Sequence, residues 1–239
     1  MHDRDAFAVV IPVYNHGQTV AEVLRQAVKL DMPVFVVDDG STDSTSVMIQ
    51  GFPRVRVLRH RVNRGKGAAI MTGLAEAAKV ADWAITLDAD GQHDPEDAMV
   101  LVRAIPKDQR PIIVGMRQGM LQAKAPWTSR FGRAFSNFWV WVAGGPRMTD
   151  SQSGFRIYPI PECGNLDVGA RRFQYEVEVL VKARRRGIPV IEAPVRVKYE
   201  TGAAKRSHFH PFFDFLRNFG TFSRLIVERI FRFSMMSAS

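Results

Sequence analysis

The 239-residue sequence predicts an α/β fold: a mainly parallel, doubly wound central sheet flanked by helices, with an amphipathic helix at the C-terminal end. Short apolar runs alternate with helical patterns through the first two-thirds of the chain. The C-terminal ends of those runs are far more polar than their bodies, and in a parallel sheet such ends share one edge, where ligands bind. Composition is that of a globular protein, 46% hydrophobic and 24% charged. No repeat or long linker marks a second domain, so residues 1–204 form one unit and residues 205–239 a basic loop and an amphipathic helix.

The elements follow in order. "FAVVIPVY" (7–14) reads as a buried strand, and "TVAEVLRQAVKL" (19–30) as a helix with Val20, Val23, Leu24, Ala27 and Val28 on one face. "PVFVVDDGS" (33–41) is a strand, "STDSTSVMI" (41–49) a capped helix start and "VRVLRH" (55–60) a third strand. "GAAIMTGLAEAAKV" (67–80) is Ala-rich helix, and "WAITLDAD" (83–90) is a strand running into carboxylates. "PEDAMVLVRAI" (95–105) opens with proline and acids, the chemistry of a helix N-terminus, and "PIIVGMR" (111–117) is one more strand. "FQYEVEVLVKARRRG" (173–187) is an amphipathic helix with Phe173, Val177, Leu180 and Val181 inward. Its Glu176 or Glu178 can reach the site, with a surface pair to Lys182 the alternative for Glu178, and Arg184 to Arg186 read as a solvated face.

With 33 basic and 24 acidic side chains, the net charge of +9 suggests an anionic partner: nucleic acid, acidic lipid headgroups or a phosphorylated substrate. The basic residues are scattered and no recognition motif appears, which argues against nucleic acid. One cysteine, Cys163, excludes an intramolecular disulfide and fits a reducing compartment. "MHDRDAFAVV" is not a signal peptide, and no apolar stretch approaches the ~20 residues needed to span a bilayer. A cytoplasmic or peripheral protein is expected.

Asp88 and Asp90 are the first constellation. At i and i+2 on a strand, both carboxylates face one side and can converge on a hard cation, Mg²⁺ or Mn²⁺, with Gln92 adding a carbonyl oxygen. A solvated acidic turn is the alternative. Asp38 and Asp39 end another strand, where a carboxylate can cap the helix or form an Asx-turn before "GSTDST". "NRGKG" is not a P-loop, because the G-x-x-x-x-G-K-[ST] spacing is absent, although its Lys66 lies between two glycines.

"VVIPVYN", "VVDDGSTDST", "NRGKG" and "LDADGQHDPED" occur in that order at strand ends, followed by "DSQSGFRIYP" and "FQYEVEVLVKARRRGIPVIEAPV". The ordered set resembles the family 2 glycosyltransferases of GT-A fold over residues 7 to 200, and within them the dolichyl- or polyprenyl-phosphate sugar transferases. The resemblance implies a UDP- or GDP-linked sugar donor bordered by Pro12, Tyr14, Asn15, Asp39 and Lys66. Asp88 and Asp90 would hold the metal on the donor diphosphate, and Asp150 would be the general base toward a hydroxyl acceptor, or would orient an already ionised phosphate. Ser153 and Arg156 suit the oxygens of such a phosphate, and a capped turn with an internal ion pair is the alternative for that segment.

The tail departs from the polyprenyl-phosphate pattern. Lys205 and Arg206 lie where similar enzymes close a basic loop over the diphosphate, and His208 or His210 would be a third metal ligand. "SHFHPFFD" is similar to a bacterial branch acting in lipid or polyene assembly. Two aromatic stripes flanked by arginine, Phe131, Phe135, Phe138, Trp139 and Val142 beside Arg130 and Arg133, and Phe212, Leu216, Phe219, Ile226, Val227 and Ile230 opposite Arg224 and Glu228, suit a membrane interface near a lipid acceptor. Packing on the sheet or on another subunit, as in a homo-oligomer, is the equal alternative. The expected activity is inverting, metal-dependent sugar transfer to a lipid-linked acceptor, most similar to polyprenyl phosphate, at the cytoplasmic membrane face. A hydroxyl acceptor on a glycan, lipid or polyene is the second reading and a non-catalytic nucleotide-sugar scaffold the third.

Overall fold

A computed structural model describes residues 6–118, 127–197 and 220–231, with backbone alone for residues 127–131. Seven strands form one sheet: β1 (Phe7–Val13), β2 (Val34–Asp38), β3 (Val55–Arg59), β4 (Trp83–Thr86), β5 (Ile112–Arg117), β6 (Arg156–Pro159) and β7 (Val190–Val195). Their order is β3-β2-β1-β4-β6-β5-β7. The helices are α1 (Val20–Ala27), α2 (Thr45–Gln50), α3 (Lys66–Ala77), α4 (Ala98–Arg103), α5 (Trp127–Val142), α6 (Tyr175–Arg185) and α7 (220–231). The predicted architecture is present, with two strands beyond the five read from the sequence, β6 and β7. β6 is antiparallel to both its neighbours, β4 and β5, whereas every other pair is parallel.

The apolar runs are continuous because helices cover the sheet on both faces. Alternate residues of β1 point to opposite layers. Val9 and Ile11 meet Val23 and Leu24 of α1 and Leu101 of α4; Ala8 and Val10 meet Ile70 and Leu74 of α3 and Tyr175 and Val179 of α6. A Cβ at Gly73 would lie 2.2 Å from Val10 Cγ1, so glycine is what lets α3 lie so close on β1. β3, at the sheet edge, has exposed residues at Arg56, Val57 and Arg59.

A third cluster joins α5, α6 and α7 through Val140, Ala143, Val177, Val181, Phe222 and Leu225. Burying Phe222 and Leu225 contributes about 1.5–3 kcal/mol each. Ion pairs add to the seam: Arg224 to Glu178 at 2.6 Å and Arg185 to Glu228 at 2.8 Å. This corrects the helical face read from the sequence. Phe222 and Leu225 point inward, and Arg224 and Glu228 pair with α6. Val227, Ile230 and Phe231 are at least half exposed, at 50%, 61% and 66%. Glu178 is also corrected: it is fully buried, accepting from Gly169 N and Ala170 N besides pairing with Lys182 and Arg224. Arg185 in turn is not a solvated side chain but binds α7 and the end of α5. Among the described residues, no helix is long and apolar enough to cross a membrane.

Candidate active site

Parallel strands deliver their C-terminal ends to one edge: Tyr14 and Asn15 after β1, Asp38 and Asp39 at β2, His60 after β3, Asp88 and Asp90 after β4, and Arg117 at the end of β5. Because β6 is reversed, its N-terminal approach, Asp150 to Phe155, reaches that same edge. The odd strand therefore carries the "DSQSG" segment to the aspartates.

The first two strand ends are stitched together. Asn15 N donates to Ser41 Oγ at 3.0 Å and Asn15 Oδ1 accepts from Thr42 N at 2.8 Å, with Asn15 in the left-handed region at φ 54°. Asp43 receives Thr45 N, Thr45 Oγ1 and Gly17 N; burial opposes its ionisation, but these donors hold its carboxyl below the ordinary value. Pro12 is buried within β1 and Tyr14 is half-buried at its mouth.

Asp39 is committed to the protein. Its oxygens accept from His60 Nδ1 at 2.6 Å, Arg64 N at 2.9 Å and Gly65 N at 2.7 Å, and the residue is 2% exposed. The geometry gives it the shaping of the "NRGKG" turn through these three bonds. Asp38 likewise binds Ser41 N and Ser46 Oγ. Gly65, at φ +98° and directly N-terminal to α3, abuts Arg171 O and the Arg172 side chain, where a Cβ would clash.

That turn presents Lys66. Its Nζ lies 2.7 Å from Asp88 Oδ1 and 2.5 Å from Glu176 Oε1. Burial disfavours its charge, but the two carboxylates outweigh burial and raise its affinity for the proton. Asp88 is correspondingly lowered, by Lys66 against its own burial. Asp90 goes the other way, to about 6, through burial and then the neighbouring Asp88 charge. Gln92 N donates to Asp90 Oδ1 at 3.0 Å, and Thr19 Oγ1 donates to Ala89 O at 2.6 Å, fixing the loop from α1. A carboxylate pair in which one member is driven toward neutrality suits a hard divalent cation, so the residues fit Mg²⁺ or Mn²⁺ chemically. Among the described residues, no third His, Cys, Asp or Glu joins them in a metal-sized cluster.

Asp150 is 1% exposed and held by Arg117. Arg117 Nε meets Oδ2 at 2.7 Å and Nη2 meets Oδ1 at 2.8 Å, while Glu192 accepts from Asp150 N at 2.9 Å. Ser153 Oγ is buried without a hydrogen-bond partner among the described residues. Arg156 departs from the expected acceptor role. It is fully buried and donates to Ser153 O at 2.7 Å, Glu176 O at 2.8 Å and Ser151 O at 2.8 Å. Its fork shapes the 150–155 loop from behind, with most of its N–H groups turned to the protein. Arg133 is buried on α5, and Arg130 lies on the same helix with its side chain outside the description. Lys205, Arg206, His208 and His210 lie outside the described residues.

Three residues here, Arg117, His60 and His93, are not singled out by the sequence, whereas Glu176, one of two α6 glutamates expected to reach the site, meets Lys66. Arg117 was findable, as the polar last residue of a strand at the ligand edge. His93 follows Gln92, packs on Phe155 with ring centroids 5.1 Å apart, and its Nδ1 has no hydrogen-bond partner among the described residues. Burial holds its pKa below the ordinary histidine value.

A sheet of this order, with paired aspartates after its central strand and the loop of a reversed strand facing them, defines a glycosyltransferase of the GT-A type. The chain belongs to glycosyl transferase family 2, whose defining pattern matches residues 8–159. It is 30% identical over 213 residues to UDP-N-acetylglucosamine–dolichyl-phosphate N-acetylglucosaminyltransferase of Methanococcus voltae, covering 80% of this chain and 85% of that one. It is 26% identical over 212 residues to undecaprenyl-phosphate mannosyltransferase of Micrococcus luteus, covering 83% and 86% of the two chains. In fold it matches glucosyl-3-phosphoglycerate synthase of Mycobacterium tuberculosis, solved with Mn²⁺, UDP-glucose and phosphoglyceric acid. That match has a TM-score of 0.68 at 19% identity, covering 95% of this chain and 80% of the other.

Proposed function

We propose that this enzyme moves a sugar from a UDP- or GDP-linked donor to polyprenyl phosphate, with inversion, at the cytoplasmic face of a membrane. The observation that carries this reading is the pairing of Asp150 with Arg117 opposite the Asp88–Asp90 carboxylates. A hydroxyl acceptor needs a base with a free oxygen, and both oxygens of Asp150 are engaged by one guanidinium. A phosphate monoester arrives ionised and needs no base; what it needs is an orienting positive charge, and the Arg117 guanidinium, held in place by Asp150, supports that role. The names of the Methanococcus and Micrococcus relatives, both transferases to lipid phosphates, support the same acceptor class.

In this reading the acceptor phosphate oxygen attacks the anomeric carbon as the bond to the donor's β-phosphate oxygen breaks on the opposite face. The nucleoside diphosphate leaves with the electron pair. Asp88 and Asp90 would hold a divalent cation, Mg²⁺ or Mn²⁺, which would neutralise charge on that leaving group. Lys66 sits beside the pair as a second positive group for the diphosphate, and the buried Ser153 hydroxyl is available to an acceptor oxygen. Arg133 and Arg130 on α5 lie toward the acceptor, while Pro12, Tyr14 and Asn15 border the nucleoside. Lys205, Arg206 and His208 keep their assignment to the donor side.

The exposed apolar residues of α5 and α7, Phe138, Trp141, Val227, Ile230 and Phe231, beside Arg147 and Arg229, support contact with a lipid surface.

The test is a mass-spectrometric transfer assay with purified protein, Mg²⁺ or Mn²⁺, a panel of UDP- and GDP-sugars, and polyprenyl phosphate in detergent. A glycosyl-phospholipid product, lost on chelation and in Asp90→Ala, is the expected result. Donor hydrolysis with no lipid product would move the acceptor to a hydroxyl compound.

A further inference from the structure

Lys66 pairs with the first aspartate of the carboxylate pair. Its ammonium lies 2.7 Å from Asp88 Oδ1 and is anchored on its other side by Glu176 Oε1 at 2.5 Å. The Lys66 side chain is 19% exposed and that of Asp88 22%, so the pair is poorly screened by solvent. The backbone closes on both groups. A Cβ at Gly154 would stand 2.5 Å from Asp88 Oδ2 and 2.6 Å from Lys66 Nζ. Phe173 adds its ring 5.9 Å from Nζ. A dication seated between Asp88 and Asp90 would therefore meet an ammonium already bound to one of its two carboxylates. The positive charges repel, and one of them has to withdraw.

From this arrangement we infer that Lys66 is the resident counter-ion of Asp88 and a gate on metal binding. It holds Asp88 while the site is empty and releases it when the donor diphosphate offers the ammonium a replacement anion. A lysine is suited to this, being a compact charge on a flexible four-carbon stem, whereas Glu176 keeps the displaced ammonium within reach. Metal and donor then bind with positive coupling beyond direct chelation, and linkage makes that coupling reciprocal. The inference rests on the metal-dependent reading above.

Mn²⁺ binding to the full chain, read by the electron paramagnetic resonance signal of the free ion, tests it without turnover. Unaltered protein and Lys66→Met are titrated alone and with UDP or GDP. Without nucleotide, Lys66→Met binds Mn²⁺ at least tenfold more tightly than the unaltered protein. Nucleotide then tightens Mn²⁺ binding by a smaller factor in the variant than in the unaltered protein. Equal or weaker Mn²⁺ binding by a folded Lys66→Met overturns the gate, while nucleotide-dependent Mn²⁺ binding in both proteins leaves the metal reading standing. Failure of either protein to bind Mn²⁺ under any of these conditions overturns both. A purely structural lysine would lower the melting temperature without moving Mn²⁺ affinity.

Should Lys66→Met fail to fold, amine acylation of the unaltered protein, followed at Lys66 by peptide mass spectrometry, decides the matter. Saturating Mg²⁺ raises the acylation rate several-fold by freeing the ammonium from Asp88. An unchanged rate overturns the gate.

Discussion

Arg117 grips Asp150 with two nearly parallel hydrogen bonds, Nε to Oδ2 at 2.7 Å and Nη2 to Oδ1 at 2.8 Å, where the end of β5 meets the loop before β6. The pair separates the two acceptor chemistries. If the acceptor is a phosphate, Asp150→Asn leaves charge and fork at Arg117 and lowers kcat less than about tenfold. If the acceptor is a hydroxyl, removing its base costs about 10²–10⁴. Steady-state kinetics of Asp150→Asn with polyprenyl phosphate should show the smaller loss. Arg117→Met should raise the KM for the lipid phosphate while sparing donor hydrolysis.

Asp90→Asn keeps the shape of the loop and removes one carboxylate from the pair. Transfer should fall by at least about 10²-fold, the scale on which loss of electrostatic stabilisation at a leaving group is felt. The variant should also lose Mn²⁺ binding in the presence of nucleotide. Calorimetric titration with Mn²⁺ and UDP checks this, and unaltered affinity would take Asp90 out of the ligand set.

Much of this site was legible. Asp88 and Asp90 stand out as carboxylates ending an apolar run, but β4 stops at Thr86, so it is the turn after the strand, and not strand alternation, that brings them near each other; Asp150 stands out as an acid in a glycine-containing loop. The roles of Asp39 and Arg156 were not legible, because a motif fixes residue types but not their hydrogen-bond partners. Both look like ligand-binding groups, yet Arg156 donates to three backbone carbonyls and Asp39 accepts from two backbone N–H groups and the His60 ring. β6 went unrecognised because it spans only Arg156–Pro159, with an arginine at its first position, too short for alternation to register. On α7 the apolar residues occupy more than half the circumference, so periodicity alone left two candidate inner faces.

Arg156 supplies a stability prediction. It is fully buried and fills three carbonyl oxygens that belong to two segments. Arg156→Met leaves those acceptors buried without donors and should destabilise by about 3–5 kcal/mol. Arg156→Lys, which cannot span the three oxygens, should recover only part of that. Urea unfolding measures both, and a loss below about 1 kcal/mol would show that the loop finds other donors.

The outer faces of α5 and α7 yield the last prediction. Phe138 at 52% exposure, Ile230 at 61% and Phe231 at 66% make few folded-state contacts, whereas Phe222 and Leu225 hold α7 in place. Replacing the exposed three by serine should therefore leave the melting temperature within about 2 °C, since surface changes away from buried features usually stay within about 0.5 kcal/mol. If these side chains enter a bilayer, the same triple variant loses apolar contact worth roughly 25 cal/mol per Å² on the membrane side alone. Sedimentation with anionic vesicles should then fall sharply, and transfer to polyprenyl phosphate in vesicles should fall more than transfer in detergent. Unchanged sedimentation would mean that these faces meet protein, and the dependence of the sedimentation coefficient on protein concentration would then identify a second copy as the partner.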